Sequence, residues 1–295
     1  MSVSRKLLEV TMSVAGYLEI VFQQIHRRIR YRLARQYDYK PRPDDTFLVT
    51  YPKSGTTLLQ MMLYQMTTPG EMGFSHIDDV SPWFERALHL GRGEKLEKTP
   101  SPRFLKSHLS YEEVPRPGKI IYMARDVRDV AVSAYYHQRL LMGWEGDLER
   151  FIDDFLVGHT GFGSWFEHIE SWWPYRHDPN VLFLRYEEVV ADLAGTVRKV
   201  ARFCSIPLDE AELPRIVERC GFDFMKKHNN KFDPRMETTG EEFLRKGRTG
   251  EGGADFTREQ SRRLGERIDE LANRLGYSAE DADAPLLRLQ LDKAE

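Results

Sequence analysis

Seven residues, Tyr51-Pro52-Lys53-Ser54-Gly55-Thr56-Thr57, join an apolar run at Thr46 to Thr50 directly to a stretch of helical periodicity, Thr56 to Met66, that sets Leu58, Leu59, Met62, Leu63 and Met66 on one side. This junction constrains the chain more than any other. A helix start presents unpaired N–H groups, and Gly55 lets backbone amides approach an oxyanion. Thr56 and Thr57 add hydroxyl donors, and Lys53 adds a mobile positive charge. Such a loop cradles a phosphate or sulfate. It is not a Walker A loop, in which the lysine follows the second glycine; here Lys53 precedes Gly55.

Three further apolar runs, Phe104 to Ser107, Lys119 to Met123 and Val181 to Arg185, lack the alternation of a strand with one wet face and read as buried parallel strands. Helical patterns at Val127 to Leu141, Leu148 to Val157, Phe162 to Trp173, Ala194 to Phe203, Leu213 to Cys220 and Thr257 to Leu275 lie between or after them. The pattern predicts an α/β fold in one domain: a central parallel sheet flanked by helices on both sides, with a P-loop-like nucleotide-binding architecture. The domain is assigned to residues 41–278, with an N-terminal amphipathic helix in 1–40 and a polar tail in 279–295. Residues 229–255, rich in Gly, Asn and charge, read as a long functional loop or lid.

A formal charge of -3 supplies no global cationic field for nucleic acid, so any anion must be held by local clusters. The two cysteines, Cys204 and Cys220, form neither a disulfide framework nor a zinc spacing, which fits a cytoplasmic protein. Between Leu7 and Ile25 the apolar residues are interrupted by Glu9, Glu19, Gln23 and Gln24, then followed by a basic run. That segment reads as a helix packed on the domain or on a partner, in preference to one lying on a membrane.

The loop Tyr51 to Thr57 resembles the 5′-phosphosulfate loop of the cytosolic sulfotransferases, which use 3′-phosphoadenosine-5′-phosphosulfate (PAPS) as donor and release PAP. Ala124-Arg125-Asp126-Val127-Arg128-Asp129-Val130-Ala131-Val132-Ser133 is similar to that family's 3′-phosphate segment, and Arg245-Lys246-Gly247-Arg248-Thr249-Gly250 to its late R-K-G-x-x-G loop. The resemblance implies that Lys53, Ser54, Gly55, Thr56 and Thr57 hold the 5′ end, and that Arg125, Ser133, Arg245, Lys246 and Gly247 hold the 3′-phosphate. Tyr186, read as ending the fourth strand, and Phe222 align with adenine contacts. Bidentate Arg with Lys and hydroxyl donors is what a near-dianionic phosphate requires. Three departures stand out. Leu58 replaces a tryptophan, Glu251-Gly252-Gly253 replaces Asp-Trp-Lys, and the dimerisation pattern is broken by Gly253, Arg258 and Arg262.

Phe104-Leu105-Lys106-Ser107-His108 resembles the family's K-[TS]-H motif, which implies His108 as general base and Lys53 and Lys106 as catalytic cations. An imidazole titrates near pH ~6.5 and accepts a proton near neutrality, whereas a lysine is usually charged there. Preorganised cations then stand where other transferases use a metal, and no metal is expected. Trp83, Phe84, Met142 and Trp144 are expected to line the acceptor side, which suits the hydroxyl of a small phenol or lipophilic alcohol. The alternatives are a carbohydrate or lipid sulfotransferase with the same donor site, a nucleotide-binding protein without catalysis, and a nucleotide kinase.

Overall fold

The computed structural model describes residues 39–70, 72–142, 146–233, 243–245, 247, 249–250 and 252–275, together with 22, 25, 29, 31–32 and 35–36 of the N-terminal segment. Four strands, β1 (Thr46–Thr50), β2 (Phe104–Ser107), β3 (Lys119–Ala124) and β4 (Val181–Arg185), form one sheet in the order β2-β1-β3-β4. Every neighbouring pair is parallel, with Thr46 opposite both Phe104 and Lys119, and Ile120 opposite Val181. β1 is buried along its whole length, as its unbroken apolar run requires.

Successive side chains of a strand point to opposite faces, so each face is covered separately. Phe47, Val49, Ile120, Tyr122 and Ala124 pack into one core, which includes residues of the helices α4 (Val127–Met142), α5 (Leu148–Leu156), α6 (Trp165–Trp172) and α11 (Arg258–Arg274). Leu48, Ile121, Met123, Leu182 and Leu184 pack into the other, with α1 (Thr56–Thr67), α8 (Leu193–Cys204) and α9 (Leu213–Cys220). Helices therefore lie on both faces of a parallel sheet, as the pattern predicts. Four short helices were not foreseen: α2 (Phe84–His89), α3 (Gly93–Lys98), α7 (Tyr186–Ala191) and α10 (Phe222–Lys227). Tyr186 accordingly opens a helix rather than ending a strand, and α6 begins at Trp165, capped by Ser164, which accepts from the Glu167 amide at 3.3 Å.

The two ends of the sheet do different work. At the N-terminal ends of β1 and β2, Arg103 and Asp45 form a bidentate ion pair at 2.6 and 2.8 Å, both side chains fully buried. Tyr39 donates its hydroxyl to the same carboxylate. At the C-terminal ends, the segments after β1, β2, β3 and β4 open onto one cavity. The chain leaves β1 for one neighbour and returns on its other side, which is the switch point where open α/β sheets bind ligands.

In the N-terminal segment, Tyr31 is buried against Phe84 and donates to the Glu113 carbonyl at 2.8 Å, while Phe22, Ile25 and Ile29 are exposed. Among the described residues no helix is long and apolar enough to cross a membrane. The long loop 229–255 contains short 3₁₀ turns at Asn229–Lys231 and Gly252–Asp255, and residues 234–242 lie outside the described set.

Candidate active site

Gly55 adopts φ 97°, a left-handed conformation that lets the chain turn from β1 into α1 without a side-chain cap. A Cβ there would come within 2.7 Å of both Met123 Cε and the Tyr186 ring, so the loop lies directly on that ring. Lys53 is also left-handed, at φ 71°, an uncommon state for a residue with a side chain and one that the surroundings must hold. Thr56 turns its hydroxyl toward Thr50, 2.6 Å away, whereas the buried Ser54 Oγ has no hydrogen-bond partner among the described residues. Thr57 lines the cavity.

The cavity, about 1330 Å³, is lined by Lys53, Lys106, His108, Arg125, Ser133, Tyr186, Phe222, Arg245 and Gly247, so the sequence motifs converge on one space. Arg125 donates to the Lys53 carbonyl at 3.2 Å and lies 4.4 Å from the Tyr186 ring centroid, which bridges the first loop to the end of β3. Arg245 lies 4.2 Å from the Tyr136 ring centroid. Gly247, at φ 63°, backs onto Phe222 so closely that a Cβ would fall 2.2 Å from the ring. Lys246 and Trp144 lie outside the described residues, as does the Met142 side chain.

Lys53 Nζ lies 3.4 Å from His137 Nδ1 and 4.3 Å from the Phe243 ring centroid. Burial, then the nearby Lys106, Arg125 and Arg245, pull its amine down to about 7, with Asp233 opposing. Four cations facing one space is an arrangement that a polyanion relieves. That fits a bisphosphorylated nucleotide on physical grounds.

His108 follows β2. Its Nδ1 lies 2.8 Å from the Thr50 carbonyl, so that nitrogen carries the proton and Nε2 keeps its lone pair. Burial, then Lys106, holds the imidazole well below its ordinary value, and it is neutral at pH 7. The Glu85 carboxylate accepts from the His108 backbone N–H at 2.7 Å and fixes the end of β2. Lys106 stacks its ammonium 4.4 Å from the Trp83 ring centroid, and burial lowers its pKa despite Asp78 and Glu85.

Of the residues expected on the acceptor side, Trp83 lines the cavity but Phe84 does not. It is fully buried in a cage of Tyr31, Tyr39 and Phe47, because adjacent residues at the start of α2 point in different directions. The second aromatic wall is Phe162, in the loop before α6, with its ring 6.5 Å from that of Trp83 and 26° off parallel. His108 is edge-on to both, at 5.1 and 5.9 Å. Phe162, His137, Glu85 and Phe243 also line the cavity, and sequence reasoning missed them. For Phe162 the signal was the Ser164-x-x-Glu167 cap, which starts the helix after it.

The sulfotransferase-domain family model matches residues 43–276. The chain belongs to the sulfotransferase family. Mouse sulfotransferase 4A1 is 40% identical over 196 residues, covering 62% of this chain and 67% of the relative. Human sulfotransferase 1E1 is 33% identical over 258 residues, covering 80% and 88%. Among solved structures, mouse sulfotransferase SULT7A1 complexed with PAP aligns with a TM-score of 0.67 at 30% identity, covering 84% of this chain and 88% of that one. Retinol dehydratase with androsterone and PAP aligns with a TM-score of 0.73 at 26% identity, covering 87% of each. This sulfotransferase is a PAPS-dependent transferase of the cytosolic type, with PAPS as its donor substrate.

Proposed function

We propose that this sulfotransferase moves the sulfuryl group to the hydroxyl of a small phenol or lipophilic alcohol, with His108 as general base and Lys53 and Lys106 as the catalytic cations. The observation that carries the reading is the Thr50–His108 hydrogen bond at 2.8 Å, which leaves the basic Nε2 of a neutral imidazole in the same cavity as Lys53 and Lys106. When bound, PAPS supplies the sulfuryl group and departs as PAP. His108 Nε2 takes the acceptor's hydroxyl proton as the new O–S bond forms. Lys53 and Lys106 counter the negative charge gathering on the oxygens around sulfur, without reorganising at that moment. Ser54, Gly55, Thr56 and Thr57 would hold the 5′ end. Arg125, Ser133, Arg245, Lys246 and Gly247 would hold the 3′-phosphate, with Tyr186 and Phe222 near the base.

An aromatic or apolar acceptor is supported by the Trp83 and Phe162 rings, which both stand beside His108 in the cavity. A phenol ionises near ~10, closer to imidazole than an aliphatic alcohol, and needs less help from the base. Residues 41–278 carry this activity, and the two cysteines, both free thiols, suit a cytoplasmic site.

The test is transfer from radiolabelled PAPS to a panel of phenols, steroids, alcohols, amines and sugars. Turnover of phenols or lipophilic alcohols, lost in Lys53→Ala and His108→Ala, is expected. PAP binding without any turnover would leave a nucleotide-binding protein, and turnover of sugars alone would leave a carbohydrate sulfotransferase.

A further inference from the structure

The carboxylate of Asp129 joins two parts of the donor site that lie far apart in sequence. It sits on the first turn of α4, almost wholly buried, with 3% of its side chain exposed. One oxygen accepts from the Gly250 amide at 2.9 Å, and the other from the Gly252 amide, also at 2.9 Å. Arg125 reaches the first of these oxygens at 3.5 Å. The contact is backbone to backbone as well: a Cβ on Gly252 would fall 2.5 Å from the Arg128 carbonyl carbon and 2.6 Å from the Asp129 nitrogen. A side chain at position 252 would therefore push this segment away from α4. Glu251-Gly252-Gly253 stands where the family pattern has Asp-Trp-Lys, and in this chain a buried carboxylate and a bare glycine make the fastening.

We infer that Asp129 is a positioning residue that pins the late loop to α4, so that Arg245 and the Gly247 backbone close on the 3′-phosphate that Arg125 holds. The inference rests on the donor-site reading given above. Asp129 touches no reacting atom. Its two charge-assisted hydrogen bonds hold amides that would otherwise be solvated, and its contact with Arg125 keeps that guanidinium beside the loop. The asparagine variant is diagnostic, because its side chain keeps one acceptor and turns a second donor toward an amide N–H.

Titration calorimetry of Asp129→Asn and Gly252→Ala with two nucleotides, PAP and adenosine 5′-phosphosulfate, tests the inference, since only PAP carries the 3′-phosphate. Both variants are expected to weaken PAP by about 10- to 100-fold, the range set by losing or inverting one or two charge-assisted bonds. Adenosine 5′-phosphosulfate should bind within about twofold of wild type. Equal loss of both nucleotides would mean general damage and would overturn the role, as would unchanged PAP binding in Asp129→Asn. If wild type does not bind PAP, the donor-site reading falls and this inference with it. If the variants do not fold, hydrogen exchange on the wild type decides, with protected Gly250 and Gly252 amides expected and unprotected ones overturning the pin.

Discussion

Nucleotide binding by this enzyme should be coupled to uptake of a proton by Lys53. In the free protein its amine is held down to about 7 by burial and by Lys106, Arg125 and Arg245. A bound polyanion replaces that repulsion with attraction and returns the amine toward its ordinary value near ~10.4. Because the free form has the lower pKa, binding above pH 7 takes up a proton and affinity falls as pH rises. Below about pH 6 the amine is already charged and the dependence disappears, although phosphate protonation then intrudes. At pH 8 about nine-tenths of free Lys53 is neutral, so about 0.9 proton is taken up per PAP bound. The dissociation constant should rise about fivefold from pH 7 to 8 and about fiftyfold from pH 7 to 9, approaching 1.4 kcal/mol per pH unit. Calorimetry in pairs of buffers with different ionisation enthalpies reads the proton count directly. Lys53→Arg keeps its charge throughout and should abolish the slope. An absence of proton uptake at pH 8, or a slope that survives in Lys53→Arg, refutes the reasoning.

His108→Ala should lower kcat by about 10²- to 10⁴-fold while PAP affinity, read by calorimetry, stays near wild type. Because burial and Lys106 hold the imidazole well below its ordinary value, the acid limb of the kcat profile should lie well to the acid side of the ordinary imidazole range. Gly55→Ala meets Met123 and Tyr186 at 2.7 Å in a left-handed conformation. That strain, about 1–3 kcal/mol, should appear as weaker PAP binding. Arg103→Leu leaves the buried Asp45 carboxylate without its cation and should cost about 3–5 kcal/mol in urea unfolding, with the cavity residues untouched.

What could be read from sequence was local. The buried strands announce themselves as unbroken apolar runs, and the loop at Tyr51 to Thr57 carries its chemistry in seven consecutive residues. Side chains that depend on distant segments were not legible. Phe84 and Trp83 are neighbours of similar character, and only the positions of Tyr31, Tyr39 and Phe47 decide that the phenylalanine goes inside. Tyr186 follows a strand pattern without a turn signal, so nothing in its immediate sequence marks it as the first residue of a helix. The Asp129–Gly252 hydrogen bond spans 123 residues, a distance over which no periodicity reports. His137 had no motif of its own, and its nearness to Lys53 comes from the length of α4.

The order β2-β1-β3 has a practical consequence for anyone wishing to change what this enzyme sulfates. Most of the residues proposed to hold the nucleotide gather around the ends of β1 and β3 in the middle of the sheet, whereas His108 follows β2 at the sheet's border, beside Trp83 and the turn bearing Phe162. Under the proposed roles, Trp83 and Phe162 are the positions to vary, with Phe84 kept as core and Glu85 kept as the holder of β2, so that donor grip and acceptor choice become separate engineering problems.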